Sequence, residues 1–424
     1  MKLETKEDIA GVALRLRSAL KEGLRCGASH DDDDARAAVR RLGETRCIAA
    51  AETREMRGVN VVDGTRLTVA EFKRKYLLPN KPVLIQNVGR EWLAASTFPQ
   101  CFLDDDGAWA DVNVPVKKAP DLGNAAAVDA DGRAAELECT ECPMREWVSR
   151  LRFDPGNYLK DFHLSEACAR HPKLCKQPSY YTCPPWFQDD WLNELFEAFG
   201  RGDFKFMYWG GCGSGTPRHS DVLSSYSWSI NIVGAKVWTM HPPGGNNQGQ
   251  EENIITIRQG THEALFVPST WQHSVENAAE TISINHNWAN GAMVDLLCDT
   301  LCGEADLVKK ELLAFGANPD AESSENMLRA CAGGLNVSML FIYLTAKGEA
   351  LLSRAAESDG ALPTSENFDR FDLCAIASAL RKLLVHFKEG DDDMRSRLSF
   401  ALKDDEGLAD ELLTLGNDLA ESFS

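Results

Sequence analysis

What the chain lacks narrows its function first. It has no dense Lys/Arg run: the strongest basic cluster is Lys73-Arg74-Lys75, and the formal net charge is −19 over 424 residues. Such a surface repels a phosphate backbone, so direct nucleic-acid binding is not expected and a basic protein partner suits it better. No stretch approaches the roughly 20 consecutive apolar residues that a membrane-spanning helix needs, so no membrane partner is expected. The first residues, MKLETKEDIAGVALRLRSALKEGL, intersperse Ile9, Val12 and Leu16 with acids and bases and show no signal-peptide core. A soluble protein of the cytoplasm, with the nucleus as a second compartment, is therefore expected. The GxxxxGK[ST] pattern of a phosphate-binding loop is missing. Neither an internal repeat nor a low-complexity tract beyond short acidic runs is found.

Disulfide architecture is also disfavoured. The 13 cysteines are odd in number and scattered from Cys26 to Cys374, a pattern that suits a reducing compartment. Cys139-Thr-Glu-Cys142 is a lone CxxC with no second pair at zinc spacing, so it reads as free thiols in a loop. Cys298 and Cys302 lie four apart on an expected helix, where packing explains them.

An apolar content of 44% supports one large core and a second, smaller unit. Residues 1–57 read as a helical extension, two helices separated by CGASHDDDD, with Ser29 or an aspartate capping the second. From 58 to 200 the texture is mixed α/β. It holds a strand, a turn at Asp63-Gly64, a helix capped by Thr68 and closed before Pro79, then the apolar strand PVLIQNV. The segment 100–140 reads as strands joined by long loops. PMREWVSRLRF reads as a helix begun by Pro143, NYLKDFHL as a short strand, and PPWFQDDWLNELFEAFG as a helix ended by Gly200.

Between 201 and 292 short strands follow one another with Gly, Pro and Asn turns: FKFMYWG, SSYSWSINIV, GAKVWTMHPP, NIITIRQG, EALFVPST and TISINHNW. In SSYSWSINIV one parity carries Ser225, Ser227, Ser229 and Asn231 and the other Tyr226, Trp228, Ile230 and Ile232, so one face packs and the other is polar. This spacing predicts an α+β chain built on an antiparallel double-stranded β-helix, or jelly roll, with polar positions facing a cavity. From 293 to 424 strand signals stop, and LLCDTLCGEADLVKKELLAFG, ENMLRACAGGLNVSMLFIYLTAKGEALLSRAAE, NFDRFDLCAIASALRKLLVHF and ADELLTLGNDLAESF are helical in spacing, predicting a C-terminal helical domain.

The chemistry concentrates in GGCGSGTPRHSDVLSSYSWSINIVGAKVWTMHPP. Two imidazoles and one carboxylate on one face of Fe(II) leave coordination positions open for a chelating co-substrate and dioxygen. His219 and Asp221 alternate so that both side chains share one side of an extended segment, and His273, in VPSTWQHSVEN, is the distal candidate. A co-substrate with two carboxylates needs a buried cation and hydroxyl donors at its far end. Lys236 lies mid-strand between Ala235 and Val237 and fits as the cation, although an outward-facing strand lysine is the alternative. Thr216 and Tyr158 can supply hydroxyls. Asn285 and Asn287 share the polar parity of TISINHNW, whereas His286 has the apolar parity and reads as a core histidine. Trp209, Trp228 and Trp271 read equally as core or as pocket wall. Gly210, Gly211, Gly213 and Gly215 precede a strand and not a helix, so they read as freedom for a tight turn into the strand that presents His219.

GTPRHSD, GAKVWTMHPPG, FVPSTWQHSVEN and TISINHNW together resemble the JmjC branch of the Fe(II)- and 2-oxoglutarate-dependent oxygenases. The likeness extends through LTVAEFKRKYLLPNKPVLI, YLKDFHL and CPPWFQDDWLNELFEAF, and with ETISINHNWANG it is similar to the JmjC lysyl hydroxylases of the translation termination release factor. It covers residues 60–295 and, more weakly, the helical tail. The resemblance implies iron ligands at His219, Asp221 and His273 and the 2-oxoglutarate lysine at Lys236. It implies co-substrate contacts at Thr216, Tyr158 and Asn287, with Ser229 standing where some relatives have asparagine. It further implies Fe(II), 2-oxoglutarate and O2 as reactants and a protein substrate, oxidised with release of succinate and CO2. N-methyl-lysine demethylation is an alternative within the same chemistry, and a catalytically silent cupin-like binding module is an alternative outside it.

Overall fold

The computed structural model describes residues 58–103, 107–118, 139–153, 157–171, 179–243, 254–357, 368–388, 393–403 and 405–422. The helices expected before residue 57 lie outside the described residues. The strands are β1 (Asn60–Asp63), β2 (Val83–Gln86), β3 (Asn113–Lys118), β4 (Cys139–Pro143), β5 (Asn157–Phe162), β6 (Lys205–Gly210) and β7 (Gly215–His219). They continue with β8 (Tyr226–Val233), β9 (Lys236–His241), β10 (Ile255–Gln259), β11 (Glu263–Val267), β12 (Gln272–Asn277) and β13 (Thr281–Trp288). A nine-stranded sheet runs in the order β1-β2-β11-β8-β13-β6-β5-β3-β4, and a four-stranded sheet runs β10-β9-β12-β7. Among the described strands β1 and β2 pair in parallel and the other pairings are antiparallel.

The two faces of the large sheet differ in chemistry. Trp228, Ile230, Ile282, Ile284, Trp288 and Phe266 join the main core. On the other face, Leu84, Leu265 and Val267 pack against Trp238, Met240, Ile255, Ile257 and Val275 of the smaller sheet, with Trp271. That apolar filling occupies the β2–β11 side of the space between the sheets. Towards β8 and β13 it gives way to Ser227, Ser229, Ser283 and Asn285. The polar parity of β8 is as buried as the apolar one, because its serines look into a second sheet and not into water. Each must then find a partner or a ligand.

Helices flank the sheets. α1 (Val69–Phe72) starts at Thr68, whose hydroxyl accepts from Glu71 N at 3.1 Å. It is followed by α2 (Leu93–Thr97), α3 (Met144–Phe153), α4 (Leu164–Arg170) and α5 (Trp191–Ala198). Gly200, at φ +63°, ends the last of these. Beyond the sheets come α6 (Val294–Ala314), α7 (Ala321–Cys331), α8 (Val337–Glu357), α9 (Phe368–His386), α10 (Met394–Ala401) and α11 (Glu406–Ser422). Gly333 and Gly334, at φ +60° and +93°, separate α7 from α8 where the sequence reads as one helical stretch. The buried Arg397 of α10 ion-pairs with the buried Glu325 of α7, whose Oε2 also accepts from Ser338 Oγ at 2.5 Å. Cys298 and Cys302 are buried on α6, as packing requires, and burial raises both thiol pKa values, that of Cys302 to about 11. The CxxC pair departs from expectation: Cys139 and Cys142 lie in the strand β4, not a loop, with Cys142 buried and Cys139 exposed.

Glycines set the approach of β7 to β12. A Cβ on Gly215 would lie 2.0 Å from the carbonyl oxygen of Val275, and one on Gly210 would lie 2.3 Å from Ser214 Oγ. Gly213 turns at φ +83° with open space around it. Gly215→Ala is therefore expected to destabilise the protein by about 2 kcal/mol or more, because the backbone of β12 must give way. Gly213→Ala should cost about 1 kcal/mol, for backbone strain alone. Chemical denaturation of both variants checks the order; equal costs would contradict this account.

Candidate metal centre

β7 ends at His219, and β12 begins one residue before His273. The two histidines are register partners across the β7–β12 pairing, with ring centroids 4.4 Å apart. Asp221 lies just past the end of β7, in extended backbone at φ −64° and ψ 149°, so the alternation that predicts a shared side carries on beyond the strand. Leu223 and Ser224 then take left-handed φ values of 54° and 53°, which reverses the chain into β8. That reversal brings Ser227 Oγ to donate to Asp221 Oδ2 at 2.8 Å. One ligand atom from each of His219, Asp221 and His273 lies within 4.8 Å of the others.

The hydrogen bonds around this trio suit a metal. His219 Nδ1 donates to Pro217 O at 2.8 Å and His273 Nδ1 to Trp271 O at 3.0 Å. A carbonyl can only accept, so both Nδ1 atoms carry the proton and both Nε2 lone pairs remain for a cation. Burial, and next the neighbouring His273, lower the pKa of His219 to about 4, so it stays a neutral ligand near neutral pH. Two neutral nitrogens and a carboxylate oxygen match a divalent first-row metal such as Fe(II).

The same cavity holds the residues expected to contact the co-substrate. Tyr158, Thr216, Ser229, Lys236, Asn285 and Asn287 all line it together with the trio. Lys236 is the electrostatic oddity. Its side chain is fully buried, and its ammonium donates to Ser283 Oγ at 2.6 Å, with Ser229 Oγ at 3.5 Å. No carboxylate pairs with it among the described residues. Burial, with Lys160 nearby as a smaller cause, lowers its pKa to about 7. A bound carboxylate would restore the charge, which is what a site for a dicarboxylate requires. Asn285 donates to Ser283 Oγ at 2.8 Å and Asn287 to Ser225 Oγ at 3.1 Å.

Other residues of the cavity escape a reading by motif. Lys160 shares the parity of Tyr158 on β5 and Tyr208 that of Gly210 on β6, so parity would have found both, as it finds Ser227 beside Ser229 on β8. His286 is a core residue, as expected: its Nε2 meets Tyr181 OH at 2.8 Å and its ring lies 4.2 Å from that of Trp228. Trp209 and Trp271 are core, whereas Trp228 is both buried in the core and part of the cavity wall. The Cys139–Cys142 pair forms no metal cluster among the described residues, where His219, Asp221 and His273 are the one group found.

No family model matches the chain. It is 32% identical over 289 residues to 2-oxoglutarate and iron-dependent oxygenase JMJD4 of Gallus gallus, covering 58% of this chain and 63% of that protein. It therefore spans less than two thirds of the chicken relative. To the protein of the same name from Danio rerio it is 30% identical over 310 residues, covering 62% of this chain and 69% of the relative. It is also 26% identical over 299 residues to bifunctional arginine demethylase and lysyl-hydroxylase psr-1 of Caenorhabditis elegans, 62% of this chain and 70% of that one.

The lysine sets a pH dependence. Below pH 7 Lys236 is already charged and binds a carboxylate directly; above pH 7 binding must also take up a proton. Affinity for 2-oxoglutarate, measured calorimetrically with Mn(II) present, should therefore fall with rising pH above 7, by up to about tenfold per unit. Lys236→Met should bind more weakly and lose that slope. A slope unchanged in the variant would remove Lys236 from the binding step.

Proposed function

The chain belongs to the JmjC family of 2-oxoglutarate- and iron-dependent oxygenases, and from that premise we propose that it hydroxylates a lysine side chain of a translation termination factor. Its reactants are Fe(II), 2-oxoglutarate and O2. In this reading His219, Asp221 and His273 hold the iron. Lys236, Thr216 and Tyr158 receive the far carboxylate of 2-oxoglutarate, and Ser229, Asn285 and Asn287 line its path. The observation that carries the reading is the convergence, in one cavity, of the two-histidine, one-carboxylate trio and a buried lysine with no carboxylate partner among the described residues. A catalytically silent cupin-like module would have no use for either.

The strand orders of the two sheets support a jelly-roll scaffold of the double-stranded β-helix type, made of β2, β11, β8, β13 and β6 against β10, β9, β12 and β7. On this reading residues 58–292 form the catalytic unit and 293–424 a helical one. When bound, iron with 2-oxoglutarate supplies an oxidant from dioxygen that turns a substrate C–H into C–OH while succinate and carbon dioxide leave. The protein's own residues do the positioning. The Nδ1 bonds to Pro217 and Trp271 fix the imidazole planes, and Ser227 fixes Asp221. Lys236 orients the co-substrate, and the apolar filling by Trp238 and Val275 limits water beside it.

A termination factor acts in the cytoplasm, which agrees with the compartment inferred from cysteine usage, and a net charge of −19 favours a basic recognition loop. A second reading, oxidation of an N-methyl group with its loss as formaldehyde, is kept because psr-1 carries arginine demethylase in its name.

Incubation with Fe(II), 2-oxoglutarate, O2 and lysine peptides of the termination factor, read by peptide mass, separates the readings. A gain of one oxygen is expected. Loss of a methyl unit from a methylated peptide would favour demethylation, and no succinate with any substrate would sink both. His219→Ala should abolish turnover with its melting temperature little changed.

A further inference from the structure

Donor accounting inside the cavity singles out one residue that neither the motifs nor the metal trio uses. Tyr208 OH donates to Asp161 Oδ1, Ser227 Oγ to Asp221, Trp238 Nε1 to Gln259, and the amides of Asn285 and Asn287 to Ser283 and Ser225. Lys236 donates to Ser283. Tyr158, Thr216 and Lys160 line the cavity and make no side-chain hydrogen bond or ion pair among the described residues. Tyr158 is paired with Gly210, and Thr216 with Val275, near the end where Lys236 is paired with Asn277. Those two donors therefore stand with Lys236, which leaves Lys160 alone.

The backbone places Lys160 by a specific device. β5 and β6 pair at Leu159–Trp209 and again at Phe162–Met207, so Lys160 and Asp161 together oppose Tyr208 alone. This is a β-bulge, and Asp161 closes it at a left-handed φ of 63°. The strain is held by bonds: Asp161 Oδ2 accepts from Lys117 at 2.8 Å and Oδ1 from Tyr208 at 3.0 Å. Both acceptors of Asp161 are thus engaged by other groups. The charge Lys160 feels most is that of Asp161 beside it, whose oxygens bond Lys117 and Tyr208 instead; more weakly it feels Asp221, and its own field reaches both Lys236 and His219.

We propose that Lys160 is a second cationic anchor for 2-oxoglutarate, donating to the carboxylate at the metal end while Lys236 holds the far one. The inference rests on the functional reading above. A carboxylate next to the keto group would give one oxygen to the metal and leave the other needing a donor, and Lys160 is the cavity cation with no hydrogen-bond acceptor among the described residues. The two lysines then offset the two charges of the co-substrate, and Asp221 offsets part of that of the metal.

Succinate, which lacks the carboxylate lost in turnover, provides the discriminating probe. Affinities of 2-oxoglutarate and succinate are measured calorimetrically in the presence of Mn(II) for the wild type, Lys160→Met, Lys160→Arg and Lys236→Met. Lys160→Met should weaken 2-oxoglutarate about tenfold or more and succinate less than about twofold. Lys236→Met should weaken both, and Lys160→Arg should retain most of the affinity. A 2-oxoglutarate affinity unchanged in Lys160→Met, or equal losses for both ligands, would overturn the proposal. Mn(II) affinity without 2-oxoglutarate shows that the cavity is still formed. Should the wild type itself fail to bind 2-oxoglutarate, the functional reading falls, not this assignment alone.

Discussion

The rest of the site depends on one strand pairing. β7 and β12 are far apart in sequence, and their register sets His219 against His273. A slip by one residue would turn one imidazole away from the cavity, because side chains alternate along a strand. The register is held by close backbone approach at Gly215, by the pairing of β12 with β9 on its other side, and by the irregularity between His273 and Val275. Metal affinity and sheet stability are therefore largely one property: what loosens the pairing separates the ligands.

A second constraint is electrostatic. A lysine as deeply buried as Lys236, with hydroxyls and the rings of Tyr208 and Trp238 but no carboxylate beside it among the described residues, lowers the stability of the free protein, and its depressed pKa is the expression of that cost. On the proposed function, an anion completes the site. The serines that surround the ammonium serve the same end, since they solvate it while leaving its charge available to a carboxylate. A carboxylate partner supplied by the chain would relieve the strain and also occupy the site.

Much of this is legible in the sequence, and the limits have physical causes. His219 and Asp221 follow from alternation, and the polar parity of β8 and β13 predicts a polar wall. That this wall is buried does not follow, because burial of a strand's second face depends on a sheet contributed by later segments. The distal partner His273 emerges from the motif around it; the register that joins it to His219 is a tertiary fact. Lys160 is found by carrying the parity of Tyr158 two residues further, but the bulge beside it is not, since a left-handed aspartate leaves no mark on composition. In the helical segment the Gly333-Gly334 break is visible as a glycine pair. The short α10 escapes because its stabilising feature is a buried Arg397–Glu325 pair that apolar spacing does not register.

The helix α5 has a consequence that reaches beyond its size. Its buried Asn193 accepts from Phe204 N at 2.7 Å, just before β6, and donates to the carbonyl of Asn287 on β13 at 2.9 Å. One residue on, Glu194 is gripped by Tyr343 and Lys347 of α8. The helix thus works as a lever with one arm on the wall of the cavity and the other on the C-terminal helices. A shift of α8 would therefore bear on the strand that carries Asn285 and Asn287, and by linkage a ligand that tightened that strand would bear on α8 with equal free energy.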